Sequence, residues 1–460
     1  MSSLRIALVE AVSDSTHVYS RTRLPRVGLP TLGAILKQRG HTCDLWISAI
    51  SPEERKSLET YDIVGIGSLS STIGDAYRLA DDLREKGVTV IMGGPHVSFL
   101  PEEALTHCDY VVRGEGETVF PDLVECLASQ QKPSPRPGLA FKNEGDSFDI
   151  GSMAEVVDFE SLPSPDFSLA GRNPGFETPP IVVTSRGCPH NCSFCSVTPL
   201  FGRKYRFKSN DQVISELRAV QHRSVCFGDD NFCANPARTK ALLKEMIAQK
   251  AVPLRWSGQM CVNAASDPEL LSLMQETRCR IVYVGVESVN PDTLKKYGKA
   301  HPMDAIKTCV DQLHKHDIGI HGMFVVDSGD GPETAKQIVD YAIQVDMDTI
   351  QVFSITPFPG TRAFEENKHR LIHHDWADYD GMHVVVQPKA CSAHTMQANI
   401  VREMERFYSL KRALTAYRKN RGWRVSYRLG GHLLMKKWVR ENKGYMEKLK
   451  NAAHGDVTSK

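Results

Sequence analysis

The sequence predicts an α/β protein with two successive parallel-sheet domains and a helical carboxyl-terminal region. Short apolar runs alternate with helical patterns up to about residue 128, and a second such series begins near residue 179. Strands that alternate with helices favour parallel sheets. From about residue 396 the pattern is helical and strongly basic. We therefore expect a Rossmann-like domain over 1–130, a linker over 131–178, a barrel over 179–380 and a helical region over 381–460.

The first domain opens with a buried strand over residues 4–9 and a helix over 28–39 that ends at Gly40, a typical helix-terminating glycine. Further apolar runs predict strands at 44–47, 63–67, 88–92 and 110–113, with helices near 73–86 and up to 128. Glycine-bearing turns follow several of these strands. Ligands of such sheets bind at the carboxyl edge, so the turns mark a candidate crevice.

The intervening residues 129–178 are rich in Pro, Ser, Asp and Gly, which predicts an irregular linker. The second series then supplies six strand–helix units. Together they predict a partial (β/α)6 barrel of the TIM type, whose chemistry lies where the strands end. The expected strands are 180–184, 223–227, 254–258, 281–286, 320–326 and 349–354.

Three cysteines directly after the first barrel strand, Cys188, Cys192 and Cys195, have the spacing C-x3-C-x2-C. Cysteine thiolates are the usual ligands of iron–sulfur clusters. Three ligands on a four-iron cluster leave one iron open, and an open coordination position is typical of a reactive metal site. Two alternatives are a zinc site, which needs a fourth ligand or a water, and buried structural thiols, since the chain has 12 cysteines.

This motif, with Phe194 at its aromatic position, resembles the signature of the radical S-adenosylmethionine (SAM) enzymes. The resemblance implies a 4Fe–4S cluster on the three cysteines, with the amino and carboxylate groups of SAM on the open iron. It also implies reductive cleavage of SAM to a 5′-deoxyadenosyl radical, and hence an external reductant of the flavodoxin or ferredoxin type. It names no catalytic residue.

The glycine-bearing turns of the first domain, at residues 65–70, 93–96 and 113–117, together with residues 25–30, resemble the cobalamin-binding domain of cobalamin-dependent (class B) radical SAM enzymes. The D-x-H-x-x-G motif, whose histidine ligates cobalt in other cobalamin proteins, is absent from residues 1–150. An empty or repurposed crevice therefore stays open as an alternative. The resemblance implies that the crevice is lined by Gly67, Ser68, Gly93, Gly94, Pro95, His96, Arg113, Gly114 and Glu115.

On the barrel, the resemblance implies SAM contacts at the ends of successive strands, and each position also has a structural alternative. Asp229 and Asp230 could instead form an Asp-Asn turn, Gln259 a satisfied interior amide, and Glu287 an ion pair. Asp327 stands where family members usually have a glycine, and residues 205–208 are expected to order the cysteine loop. The expected SAM contacts are Phe194, Asp229, Asp230, Gln259, Glu287, Ser288 and Pro357.

The remaining cysteines of the second domain show no C-x2-C pairing, which favours scattered buried thiols over a second cluster. These are Cys226, Cys233, Cys261, Cys279 and Cys309. Cys391, near His394, follows the barrel, and a role facing the substrate stays open for it.

The charge distribution is uneven although the net charge is only +1. Residues 401–460 hold 16 Lys and Arg against 5 Asp and Glu, a net +11, so the first 400 residues carry −10. Basic and aromatic residues alternate in this tail, which is compatible with a solvated cap, an anionic lipid surface or, less favoured, nucleic acid. No signal peptide or membrane span is evident, so we expect a cytoplasmic protein that can associate peripherally with membrane.

The resemblance implies hydrogen abstraction followed by methyl transfer from cobalamin to an unactivated carbon of a small-molecule natural product or a lipid. One alternative keeps the cluster but forms a carbon–carbon bond, a ring or a rearranged product without methyl transfer. Another is a non-catalytic iron–sulfur or corrin sensor. Product analysis separates the first two, and SAM cleavage under reductant excludes the third.

Overall fold

The computed structural model of the protein describes residues 3–12, 25–143, 147–171, 180–220, 223–299, 302–418 and 422–455. Side chains are described in these ranges except at 415–418 and 453–455. All statements on the fold refer to these residues.

The first domain is a seven-stranded sheet in the order β2-β1-β3-β4-β5-β6-β7. Strands β1 to β5 run parallel, whereas β6 and β7 are antiparallel additions at one edge. The strands are β1 Arg5–Glu10, β2 Thr42–Trp46, β3 Ile63–Gly67, β4 Thr89–Gly93, β5 Tyr110–Val112, β6 Leu139–Lys142 and β7 Phe148–Ile150. The helices are α1 Gly28–Gln38, α2 Pro52–Leu58, α3 Ile73–Glu85, α4 Pro95–Phe99, α5 Pro101–Ala104 and α6 Gly116–Ala128.

The apolar runs of the sequence became strands because the sheet is covered on both faces, as β3 shows with every residue buried. The expected linker over 131–178 is wrong in part, because β6 and β7 lie within this range and belong to the sheet of the first domain. These strands are short and flanked by Pro and Gly, so their sequence carries no strong period. They extend the sheet beyond its last parallel strand.

The second domain is a six-stranded parallel sheet in the order β15-β14-β13-β12-β11-β8, the partial barrel that was expected. Its strands are β8 Ile181–Val182, β11 Ser224–Phe227, β12 Arg255–Met260, β13 Cys279–Glu287, β14 Gly319–Val326 and β15 Thr349–Ser354. A separate antiparallel pair, β9 Ser185–Arg186 and β10 Arg206–Phe207, flanks the cysteine loop. The helices are α7 Val197–Phe201, α8 Asn210–Ala219, α9 Pro236–Ala248, α10 Pro268–Glu276, α11 Pro291–Lys296, α12 Met303–Lys315, α13 Thr334–Gln344 and α14 Arg362–Asn367.

The carboxyl-terminal region consists of α15 Ala393–Phe407, α16 Leu410–Arg418, α17 Gly422–Glu441 and α18 Lys443–Gly455. Its buried side chains, such as Met435 and Trp438, belong to the barrel core. Helix α17 lies at the amino-terminal end of the barrel strands, because Arg428 donates to the carbonyl oxygens of Met347 and Asp348, which precede β15. The basic tail thus caps the barrel. Among the described helices, none has the length and apolarity needed to cross a bilayer.

Candidate functional site

The cysteine loop between β9 and α7 is held by backbone contacts from several directions. Gly187 has φ +89°, and a Cβ there would lie 2.5 Å from the carbonyl oxygen of Lys204, so only glycine fits. The guanidinium of Arg362 donates to the carbonyl oxygen of Asn191 at 2.6 Å. The amide of Ala363 donates to the carbonyl oxygen of Ser193 at 2.9 Å. Helix α14, which follows the last barrel strand β15 in the sequence, therefore fixes the shape of the cysteine loop.

The thiols of Cys188, Cys192 and Cys195 are half-buried and free of disulfides. Burial raises the pKa of each thiol, that of Cys195 to about 12, while the charge of Lys299 acts in the opposite direction on Cys188 and Cys192. Within the described ranges no group of His, Cys, Asp or Glu converges closely enough for a single metal ion. Three soft thiol donors on one shaped loop fit an iron–sulfur cluster, which spans more space than one ion.

The two adjacent carboxylates after β11 have different environments. Asp229 is 3% exposed and accepts hydrogen bonds from the amide and hydroxyl of Thr184, at 3.1 and 2.8 Å, and from the hydroxyl of Ser185. Asp230 has no hydrogen-bond partner among the described residues, and burial, with the charge of Asp229, raises its pKa to about 7. Asp229 thus anchors the segment that leads to the cysteine loop, and Asp230 is the carboxylate available to a ligand.

The end of β13 contains an unusual backbone conformation. Glu287 has φ +68°, a region that non-glycine residues rarely occupy outside functional or strained sites, next to a register shift at Gly285. Its carboxylate forms a buried ion pair with Lys299, which the sequence analysis missed as a partner. The neighbouring Ser288 is fully buried, and its hydroxyl accepts from the amide of Asn290 at 3.0 Å. The ion pair of Glu287 and Lys299 lies near the cysteine loop, since the charge of Lys299 lowers the pKa of the Cys192 thiol and that of Glu287 raises it.

Two further expected SAM positions lie beside the cysteine loop. Phe194 packs edge-on against Tyr297, with ring centroids 4.9 Å apart. The hydroxyl of Tyr297 donates to Asp327 at 2.9 Å, so Asp327 is used in supporting this aromatic pair. Pro357 is buried in the turn between β15 and α14, the helix that holds the loop.

A cavity of about 630 Å³ occupies the barrel interior. Gln259 and Asp230 line one end, and Tyr427 and Leu434 of α17 line the other. His321 on β14 also lines it: Nδ1 lies 2.9 Å from the hydroxyl of Thr349, while Nε2 has no partner in the described part of the chain. Burial lowers the pKa of His321 to about 4, so the ring is neutral near pH 7. The sequence analysis predicted this strand but did not identify His321 as a candidate site residue.

A second cavity, of about 430 Å³, lies at the carboxyl edge of the first sheet. Five of the nine expected crevice residues line it, namely Gly67, Gly93, Gly94, Pro95 and Gly114. Gly94 has φ +111°, and a Cβ there would lie 2.3 Å from the carbonyl oxygen of Ser68, so only glycine fits at this turn of the crevice.

The other four expected crevice residues do not line the cavity, and the side chains of three of them, all but Ser68, have structural partners in the described part of the chain. Ser68 is fully buried, and His96 is bonded to Ser70 at 3.0 Å and to Glu103 at 3.1 Å. Arg113 donates to the carbonyl oxygens of Ser98 and Gly151. The position of a residue in the motif did not indicate whether its side chain lines the cavity or supports the turn.

Glu115, the fourth of these residues, is part of a buried ion network between the two domains. It accepts from Arg206 at 2.6 and 2.7 Å and lies 3.3 Å from Arg186, which in turn pairs with Glu117 at 2.8 Å. All four side chains are at most 9% exposed. Since Arg186 is two residues before Cys188, the network ties the crevice domain to the cysteine loop. The expected ordering role of residues 205–208 is consistent with this contact.

The two cavities share the lining residues Gly228 and Asp230. The crevice and the barrel interior are therefore neighbours, and a group in one lies next to a group in the other at the carboxyl end of β11.

Of the other cysteines, Cys233, Cys279 and Cys309 are buried, as expected for structural thiols, and Cys226 and Cys391 are half-buried. Cys261 lies closer to the site than the sequence indicated. Its sulfur accepts from the side-chain amide of Asn231 at 3.1 Å and is 3.5 Å from Nε2 of His190 in the cysteine loop.

Comparison with known families and relatives agrees with this architecture. Residues 182–342 match the Radical SAM superfamily and residues 18–124 match the B12 binding domain. The chain is 31% identical over 361 residues to bacteriochlorophyllide d C-12(1)-methyltransferase of Chlorobaculum tepidum, covering 76% of this chain and 75% of that protein. It is 31% identical over 396 residues to an uncharacterized methyltransferase of Pyrococcus horikoshii, covering 79% and 83%.

More distant relatives differ in the reactions that their names give. Hopanoid C-3 methylase of Methylococcus capsulatus is 24% identical over 456 residues, covering 93% of this chain and 84% of that protein. Anaerobic magnesium-protoporphyrin IX monomethyl ester cyclase of Cereibacter sphaeroides is 25% identical over 437 residues, covering 88% and 70%.

Solved structures share the fold. The cobalamin-dependent SAM radical enzyme OxsB, with aqua-cobalamin bound, superposes with a TM-score of 0.70 at 15% identity, covering 94% of this chain and 72% of that one. The radical SAM methyltransferase TsrM from Kitasatospora setae, with cobalamin and a [4Fe-4S] cluster bound, gives 0.65 at 18% identity, covering 80% and 78%. The chain therefore belongs to the radical SAM superfamily, in the branch that joins a B12-binding domain to the radical SAM barrel and uses an iron–sulfur cluster, SAM and cobalamin.

Proposed function

We propose that the protein is a cobalamin-dependent radical SAM methyltransferase that acts on an unactivated carbon of a large, mainly apolar molecule. The observation that carries this proposal is the junction of the two cavities at Gly228 and Asp230. A methyl donor in the crevice and an acceptor in the barrel would meet at this junction. Methyl transfer requires such contact between donor and acceptor.

When bound, the cluster with one SAM would supply a carbon radical that removes a hydrogen atom, and cobalamin would supply the methyl group, which a second SAM would replace with release of S-adenosylhomocysteine. The residues of the chain position these groups. Cys188, Cys192 and Cys195 are the proposed cluster ligands. Asp230 is the proposed hydrogen-bond acceptor for the N–H groups of the SAM amino group, since its carboxylate lacks an internal partner. Asp229 holds the strand behind the cysteine loop in place.

Two other groups complete the proposed SAM site. Gln259 lines the barrel cavity, and its side chain has no hydrogen-bond partner among the described residues. Lys299 forms an ion pair with Glu287, and its ammonium group lies near enough to lower the pKa of the Cys192 thiol. A positive charge at that position favours the thiolate form that a cluster requires. An external reductant of the flavodoxin or ferredoxin type delivers the electron.

The substrate class follows from the barrel cavity together with the relatives. The cavity lining combines apolar residues, such as Phe227, Ile281 and Met323, with polar ones, and His321 is a neutral hydrogen-bonding group between its ends. Relatives at 31% and 24% identity are named for a tetrapyrrole and a hopanoid substrate, both large and mainly apolar. We propose a tetrapyrrole as the first candidate substrate and a polycyclic lipid as the second.

The test is anaerobic reconstitution with iron, sulfide and cobalamin, followed by incubation with SAM, reductant and either bacteriochlorophyllide d or a hopanoid. We expect 5′-deoxyadenosine, S-adenosylhomocysteine and a methylated product, measured by mass spectrometry. Absence of 5′-deoxyadenosine from protein with a full cluster would contradict radical chemistry. 5′-Deoxyadenosine without any methylated product from either substrate would contradict the substrate proposal.

Ring formation is the second candidate reaction, because the similarity to the magnesium-protoporphyrin ester cyclase extends over 88% of this chain. In that case magnesium-protoporphyrin IX monomethyl ester would be converted into a product without an added methyl group. S-adenosylhomocysteine formation that depends on cobalamin distinguishes the methyltransferase from the cyclase. Membership in an enzyme family argues against the non-catalytic sensor.

A further inference from the structure

Four leucines form an apolar ridge on the outer surface of the carboxyl-terminal helices. Leu414 and Leu433 are the most exposed, at 66% and 64%, and Leu410 and Leu429 are also exposed. Each pair is separated by four residues on its helix, so its members lie on one face. We call Leu410, Leu414, Leu429 and Leu433 the leucine ridge.

The two helices pack antiparallel in a register fixed by a hydrogen bond. Nη1 of Arg428 on α17 donates to the carbonyl oxygen of Arg412 on α16 at 3.1 Å. This contact places Leu410 beside the turn that contains Leu429 and Leu433. The buried residues of α17, including Arg424, Met435 and Trp438, occupy the opposite face. The four exposed leucines therefore lie on neighbouring turns of one helix pair, outside its buried face.

Basic side chains flank the leucine ridge. Exposed Lys436, Lys437 and Arg440 follow Leu433 at helical spacing, and exposed Lys411 lies on α16. Lys436 and Lys437 have acidic neighbours at 3.1 and 3.6 Å, but surface pairs of this kind contribute little and exchange readily. Residues 401–460 carry a net charge of +11. Arg424 and Arg428 are buried and do not add to the surface charge, but four exposed cations, Lys411, Lys436, Lys437 and Arg440, stand beside the leucines.

A third face of α17 lines the barrel cavity, through Tyr427, Gly430, Gly431 and Leu434. Tyr427 is 44% exposed as well, so the cavity reaches the protein surface beside the leucine ridge. One helix thus connects an apolar, basic outer surface with the wall of the proposed substrate cavity.

We propose that the leucine ridge docks the protein on an anionic lipid bilayer, with the cavity opening at Tyr427 facing the lipid. Amphipathic helices with leucines and flanking Lys and Arg bind such surfaces through apolar burial and charge attraction. None of the described helices can cross a bilayer, so the contact lies on the surface. Nucleic acid is disfavoured, because aliphatic leucines occupy the centre where stacking aromatics would be needed. Docking is independent of the proposed function, whereas delivery of an apolar substrate from lipid depends on it.

The test is sedimentation of the full-length reconstituted protein with vesicles of phosphatidylcholine alone or mixed equally with phosphatidylglycerol. We expect binding only to the mixed vesicles, and weaker binding at high salt. Leu414→Glu and Leu433→Glu each lose a buried leucine in the bound state, so the vesicle affinity should fall about tenfold or more. The paired change Lys436→Glu with Lys437→Glu should weaken binding and reduce its salt dependence.

The matched control is Ile150→Glu, which changes an isoleucine that is 36% exposed on β7, the edge strand of the first domain's sheet. It should bind vesicles as the unchanged protein does. Equal binding by Leu433→Glu and unchanged protein would overturn the proposal, as would absence of binding to mixed vesicles. Loss of a dimer in Leu433→Glu, seen by light scattering without vesicles, would assign the ridge to a second copy and also overturn it. Cluster absorbance verifies that each variant is folded, and none of these readouts depends on methyl transfer.

Discussion

The cysteines near the site differ in how they are held. The loop of Cys192 is fixed through its carbonyl oxygens, whereas Cys261 lies outside the loop and interacts with Asn231. We expect Cys192→Ala to lose the cluster absorbance and at least 100-fold of SAM cleavage, because only two loop thiols remain to hold the irons. Cys261→Ala is the matched control and should retain the cluster. Loss of the cluster in Cys261→Ala alone would contradict the ligand assignment.

Asp230 gives the site a pH dependence. Its raised pKa, about 7, means that the carboxylate loses its charge as the pH falls through neutrality. If the ionised form accepts hydrogen bonds from the SAM amino group, SAM affinity should fall by up to about tenfold per pH unit below 7 and level off above it. Asp230→Asn should bind SAM weakly at every pH, with a flat profile. The exposed Asp211→Asn should keep the wild-type profile, and equilibrium dialysis under anaerobic conditions measures both.

Partners distant in the sequence decide which residues of a motif are available to a ligand. Asp229 and Asp230 are adjacent and chemically identical, and only the contact of Asp229 with Thr184, 45 residues earlier, separates their roles. The same applies to Lys299, which pairs with Glu287 across α11. Residue types and spacing indicated residues that the structure brings to the two cavities and the cysteine loop, and their roles as ligand contacts stay predictions. They could not predict the division of roles, because that depends on tertiary contacts.

At the scale of elements, strand prediction succeeded where burial on both faces produced continuous apolar runs, as in β3 and β14. It failed for β6 and β7, whose edge position requires no such run. The C-terminal helices were predicted, but their role in the barrel core was not. Arg424 and Arg428 resemble surface charges in the sequence, yet both are buried under α17. Their partners, Asp346 and the carbonyl oxygens before β15, become visible only in the fold.

The ion network between the domains should contribute strongly to stability. Arg206→Met would leave the buried carboxylate of Glu115 with the amide of Val157, at 2.7 Å, and the longer contact to Arg186 as its remaining partners, and we expect the lost ion pair to cost about 3–5 kcal/mol of unfolding free energy. Adding Glu115→Gln should restore part of this loss, because the unpaired charge disappears. Arg218→Met, on the exposed face of α8, is the control and should change stability little. Denaturant unfolding of all four proteins measures the effect, and an unchanged midpoint for Arg206→Met would contradict it.

For the molecule as a whole, the arrangement of the two domains matters more than either sheet alone. The crevice and the barrel cavity share two lining residues, Gly228 and Asp230, which directly follow β11. The space beside Gly228 is tight. A Cβ there would lie 3.0 Å from Cδ1 of Ile181 and 3.1 Å from Cγ2 of Val183.

Gly228→Val should therefore separate the two halves of the reaction. Its side chain would project into the junction, while the cysteine loop and the proposed SAM contacts keep their own anchors. We expect SAM cleavage to persist and methylated product to fall by up to about 100-fold, since a displacement of about 1 Å at a reacting centre has effects of this size. Gly258→Ala is the control, because its Cβ would meet neighbours at ordinary distances of 3.5 Å or more. The ratio of methylated product to 5′-deoxyadenosine reports the outcome. A proportional loss of both products in Gly228→Val would mean that the substitution damages the radical site, and unchanged amounts of both would mean that methyl transfer does not pass through this junction.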